Sequence, residues 1–128
     1  MEDINIVKGV GALAITALSY VFGSMDKLFI ALVVFLVFDY ISGIISAVMS
    51  KSLSSKIGFQ GILKKLCFLI VVGVAHILDG VLGTEGAVRA LVIGFLIANE
   101  GISILENLGK IGVPIPEKLM DMLQQLKE

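Results

Sequence analysis

Tryptophan is absent, and cysteine (Cys67) and histidine (His76) occur once each. A lone cysteine excludes an intrachain disulfide and any multi-cysteine metal site. Charge is scarce too: 16% of the 128 residues are Asp, Glu, Lys or Arg, where a soluble domain carries about 25%. Eleven acids and ten bases leave a net charge of −1, which offers no general attraction for nucleic acid. What is abundant is apolar: 57% of the side chains, with a mean hydropathy of +1.01. A disordered chain needs the opposite composition, and one domain of this size cannot hide so much apolar surface from water. The sequence therefore predicts an all-α integral membrane protein in a single membrane domain, residues 1–128.

A helix crosses the hydrocarbon with about 20 mostly apolar residues. Four stretches approach that length, at about 6–23, 28–49, 66–82 and 87–105. The first opens on Met1-Glu2-Asp3, acidic where a signal peptide is basic. Gly9, Ala12, Thr16, Ser19 and Gly23 recur along it at steps of three and four, a face of small residues that lets another helix approach. Four spans follow, or three if this segment lies in the interface as an amphipathic helix. After the fourth, the run Gly109–Pro116 breaks the chain. A short amphipathic helix is predicted over 116–127, with Leu119, Met122, Leu123 and Leu126 on one face.

Residues 50–65 carry Lys51, Lys56, Lys64 and Lys65 and no acid. The positive-inside rule makes this predicted loop cytoplasmic, where it can meet anionic lipid headgroups. Ser24–Lys27 and Gly83–Gly86 then face outward as tight hairpin turns.

A charge at mid-membrane costs at least about 2.5–3.5 kcal/mol, so each one calls for a partner or a role. Asp39, His76 and Glu100 are expected near mid-depth, where, with Ser103, they form a polar membrane face that braces helices or lines water. Asp79 and Arg89 flank the outer hairpin at similar depth and are expected to form a salt bridge. Small residues (Gly43 on the second span; Ala90, Gly94 and Ala98 on the fourth) are expected to pack against other helices. Catalysis is not expected. His76 with Asp79 makes a poor metal site, Cys67 and His76 are too far apart on one span for a nucleophile and base, and no cofactor is implied.

Phe38-Asp39-Tyr40-Ile41-Ser42-Gly43, then Ser54-Ser55-Lys56-Ile57-Gly58-Phe59-Gln60-Gly61-Ile62-Leu63-Lys64-Lys65, then Asn99-Glu100-Gly101 and Pro114-x-Pro116 stand in an order and spacing that carry a resemblance. Over roughly residues 28–126 the chain resembles the phage lysis and toxin-secretion holins of Gram-positive bacteria, the group that includes the clostridial toxin-release holins. That resemblance implies a multi-pass protein of the bacterial cytoplasmic membrane that assembles with itself into lesions. Such lesions collapse the proton-motive force and release a cell-wall hydrolase or a toxin. Two other readings stay open: a small channel or transporter using the intramembrane acids, and an antiholin-like regulator or anchor that binds another membrane protein.

Overall fold

In hydrocarbon every backbone N–H and C=O needs an internal partner, so apolar runs of this length must coil. The computed structural model describes residues 1–128 and contains five helices: α1 (Glu2–Phe22), α2 (Lys27–Met49), α3 (Ser55–Leu82), α4 (Ala87–Ile111) and α5 (Glu117–Lys127). The first four are long and apolar enough to cross a membrane, α1 included.

Local chemistry sets the boundaries. The Asp26 carboxylate accepts from Phe29 N at 2.9 Å and starts α2. Ser54 Oγ accepts from Ile57 N at 3.2 Å and starts α3. Both are side-chain caps that satisfy otherwise orphaned amides. The Ser54 cap corrects the expected basic loop over 50–65. The chain is already helical from Ser55, so only residues 50–54 remain as loop, and Lys56, Lys64 and Lys65 ride on α3. The third helix is thus 28 residues long, with a polar first third ahead of the apolar run.

α2, α3 and α4 form the bundle. Leu32, Val72 and Ile93 are fully enclosed at its centre, ringed by Phe29, Leu36 and Leu96. Just 17 of 128 residues are buried, which leaves apolar side chains such as Val81 and Leu91 to be solvated by lipid. α1 lies mainly along α3, where Gly73 is beside the Val21 carbonyl and the Phe22 ring, and its last residue, Phe22, also stacks on Phe29 of α2. α5 turns back and packs on α4.

Candidate functional site

The polar centre of the bundle is an acid–lysine–acid cluster. Lys65 Nζ of α3 donates to Asp39 Oδ2 of α2 at 2.6 Å and to Glu100 Oε2 of α4 at 2.9 Å. Their side chains are 17%, 12% and 3% exposed. Tyr40 of α2 lies over Gly58 and Gly61 of α3 at this level. Asn107 Nδ2 donates to Asp39 Oδ1 and to Ser42 Oγ, both at 3.0 Å, and the amide lies alongside Gly43. No buried side-chain polar atom lacks a partner. A cavity of about 270 Å³ opens beside the cluster, with Asn99 and Ser103 in its wall. Three helices are tied through one ammonium, which removes the need to expose either acid to hydrocarbon.

Two expectations are corrected here. Lys65, assigned to a loop, is the base that joins Asp39 to Glu100. His76 does not join them: it stands eleven residues along α3 from Lys65, about 16 Å at 1.5 Å per residue. There it lines a different cavity with Asp26, Asp79 and Arg89.

At that end of the bundle Asp79 and Arg89 meet, but not as a salt bridge. Asp79 Oδ1 accepts from Val88 N at 2.9 Å and Oδ2 accepts from Arg89 N at 2.8 Å, with Thr84 Oγ1 also donating to Oδ1. The carboxylate therefore caps the start of α4, where a helix carries free amides and partial positive charge. The Arg89 guanidinium, released from that duty, reaches across to the α1–α2 turn. It donates to the Phe22 carbonyl at 2.6 Å, the Ser24 carbonyl at 2.8 Å and Asp26 Oδ2 at 2.8 Å. Gly23 makes this possible: its φ is +86°, and a Cβ there would lie 2.5 Å from Arg89 Nε. The Arg89 hydrogen bond holds the Asp26 carboxyl below the usual carboxylate range, against partial burial, which acts in the opposite direction. Asp26 is the clasp residue that sequence reasoning did not single out; an acid directly before a helix-forming run was the available signal.

The small faces divide. Gly9, Ala12 and Thr16 are exposed, and nothing lies within 4 Å of the Cβ position at Gly9. Thr16 Oγ1 turns back to the Ala12 carbonyl at 2.8 Å, and Ser19 is half-buried. On α4, Ala90 is exposed and Gly94 is open, whereas Ala98 is fully buried and Gly101 is covered by Leu123 of α5. Among the lysines, Lys51 and Lys56 are exposed and Lys64 lies over the Phe68 ring, 5.8 Å from its centre.

A profile of the bacteriophage holin family matches residues 16–128. An uncharacterized 14.9 kDa protein of Clostridium perfringens is 48% identical over 129 residues, spanning 98% of this chain and 97% of its own. An uncharacterized protein of Listeria innocua is 45% identical over 120 residues, 93% of this chain and 86% of its own. One from Bacillus subtilis is 32% identical over 116 residues, 91% and 87% of the two chains. No solved structure matches. The family is one of pore-forming membrane proteins, not of enzymes. Its profile takes in the second part of α1, both hairpins, the Asp39–Lys65–Glu100 cluster and the returning tail helix, and the chain belongs to the bacteriophage holin family.

Proposed function

We propose that this protein accumulates in the bacterial cytoplasmic membrane and assembles with copies of itself into lesions. A cell-wall hydrolase, or a large toxin, leaves the cytoplasm through them while the proton-motive force collapses. The observation that carries this reading is a small-residue face with no partner inside the chain, Gly9, Ala12 and Thr16 on α1, together with the exposed Ala90 and the open Gly94 on α4, which stand across a cavity from the end of α5. Hydrocarbon gives helices no hydrophobic drive to associate, so close van der Waals packing at such faces does that work. The Asp39–Lys65–Glu100 cluster is read as the internal brace that keeps each copy folded while it associates. Lys51 and Lys56 mark the cytoplasmic end and meet anionic headgroups there; Lys65 is withdrawn into the cluster and Lys64 beside it lies over the Phe68 ring.

Inducible expression in a bacterium with a cytosolic cell-wall hydrolase that has no export route tests the reading. Sudden depolarisation is expected, with lysis only when the hydrolase is present and with release of a folded cytosolic reporter. Depolarisation without reporter release would replace it with a small channel, and no effect at good membrane expression with a partner-dependent regulator. Gly94→Leu probes the α4 face. Because nothing lies within 4 Å of that Cβ position, the fold accommodates the side chain, but a second helix loses its close approach. Chemical crosslinking in membranes is expected to lose its ladder of higher species; an unchanged ladder removes this face from the assembly.

A further inference from the structure

The tail helix is packed where an ordinary surface helix would not be. Gly112, at φ +105°, ends α4 and turns the chain, and Val113 N bonds back to the Leu108 carbonyl at 3.0 Å. α5 then returns along α4. Leu123 sits so close to Gly101 that a Cβ there would lie 3.0 Å from both its methyls. Leu126 and Lys127 line an apolar cavity with Ala90, Gly94 and Phe68. Gly101 is eleven residues in from the turn, about 16 Å at 1.5 Å per residue. The hydrocarbon is about 30 Å thick. The second half of α5 therefore lies at hydrocarbon depth, not on the headgroups.

Its surface divides into three sectors at 100° per residue. Met120 and Leu123 face α4 and are the two half-buried positions of the helix. Leu119, Met122 and Leu126 form an exposed apolar flank suited to lipid or a neighbouring helix. Asp121, Gln124 and Gln125, with Glu117 and Lys118, form an exposed polar flank, and Lys127, exposed at the helix end, follows Met120 and Leu123 around the helix. None of these polar side chains has a hydrogen-bond partner elsewhere in the fold, and neither charge nor amide is tolerated against acyl chains at this depth. A helix that is apolar on one flank, polar on the other and seated inside the bilayer matches one surrounding: the boundary between membrane and an aqueous lumen.

We infer that α5 forms part of the wall of the lumen, with Asp121, Gln124 and Gln125 facing water and Met120 and Leu123 anchoring the helix on α4. The inference rests on the lesion reading above and adds to it the residues that contact the permeating solution. The native thiol is removed by Cys67→Ser, Gln124→Cys is introduced, and the full-length protein is reconstituted in planar bilayers. Anionic and cationic methanethiosulfonate reagents are applied in about 10 mM salt, where charges act over roughly 30 Å. Reversal potentials under a salt gradient are expected to shift in opposite directions for the two reagents, and Asp121→Cys is expected to respond the same way. Val81→Cys, exposed on α3, is expected to show no shift. Currents unchanged at both tail positions, with labelling shown complete by mass spectrometry, would overturn the inference while leaving the lesion reading intact. Absence of current from the unsubstituted protein would overturn both. A Gly101→Cys/Leu123→Cys pair, expected to oxidise to a disulfide without loss of current, separately tests the seated position. Crosslinking that abolishes current would show that α5 must leave α4 for the lumen to open, and would also overturn the inference.

Discussion

Lys65→Met is expected to destabilise the bundle by about 3–5 kcal/mol, the loss typical when one member of a buried ion pair is removed. Methionine matches the length of the lysine stem, so the packing of α3 against Tyr40 is kept and the charge is what disappears. Asp39 and Glu100 then face each other with nothing between them, at side-chain exposures of 12% and 3%. Water cannot compensate two acids enclosed to that degree. Removing one acid is a smaller change. In Glu100→Gln the ammonium still holds Asp39 at 2.6 Å, and a neutral amide replaces the second carboxylate. The triple variant Asp39→Asn/Lys65→Met/Glu100→Gln is expected to recover most of the loss, because well-packed neutral groups commonly equal or exceed a buried charge pair in stability. Denaturation of the purified protein in mixed micelles, followed by helical circular dichroism, reads all three. Lys65→Met within about 0.5 kcal/mol of the parent, the range of an ordinary surface change, would show that the cluster does not brace the helices. Recovery in the triple variant also separates folding from function. A triple variant that is stable and still forms lesions on schedule leaves the cluster a purely structural part.

Much of this arrangement is legible in the sequence, because bilayer thickness constrains it. Runs of apolar residues near 20 long must be helices, and turns as short as Gly23–Asp26 and Gly83–Gly86 force neighbouring spans to be antiparallel. That logic places Asp79 and Arg89 at one level, and the structure brings them to one level. It does not say which atoms meet. Asp79 finds the free amides of α4, a partner that exists only once the helix start is fixed at Ala87. The first third of α3 is illegible for a different reason. Lys56, Gln60, Lys64 and Lys65 lower its hydropathy below that of a span, so composition reports loop while the Ser54 cap and 3.6-residue periodicity report helix. With the helix extended, Lys65, Phe68, Val72, His76 and Asp79 follow steps of three and four on one face, and the lysine points inward. Pairing an inward lysine with acids on two other helices needs the rotation of all three, which no single stretch contains. The tail shows the same division. Gly109–Pro116 announces a break, and the amphipathic pattern of residues 117–127 announces a helix. The direction of return depends on Gly101 offering a flat place for Leu123, more than twenty residues away.

Arg89→Lys is expected to open the end of the bundle where α1 meets α2 although it keeps the charge. The guanidinium serves three separate groups from one planar fork: the Phe22 carbonyl, the Ser24 carbonyl and the Asp26 carboxylate. It also lies over the Phe29 ring, 5.8 Å from its centre. A lysine ammonium is a point charge on a flexible stem and cannot reach three acceptors in that geometry. Hydrogen bonds to a charged group are worth about 1.5–3 kcal/mol each when buried. Asp26 is 41% exposed, so water takes over part of what the carboxylate loses and the carbonyls carry most of the effect. The damage is expected to be local. α1 is held to the bundle by this clasp and by Phe22 against Gly73 and Phe29, so α1 should loosen while α2–α4 remain packed. Hydrogen exchange of the amides from Phe22 to Phe29 is expected to rise by one to two orders of magnitude, about 1.4–2.8 kcal/mol at 1.4 kcal/mol per tenfold. Exchange around Ile93 should stay as in the parent. Acid should reproduce the effect without a mutation. The folded-state carboxyl of Asp26 lies below its ordinary value because Arg89 bonds it. Its contribution is therefore full above about pH 4, the unfolded value, and is lost as the pH falls through the folded one. Exchange at Phe29 should accelerate in that acid window beyond the intrinsic change, and Asp26→Asn should abolish the extra acceleration. A clasp that stays closed in Arg89→Lys would mean that the apolar contact of Phe22 with Gly73 and Phe29 alone holds α1 in place.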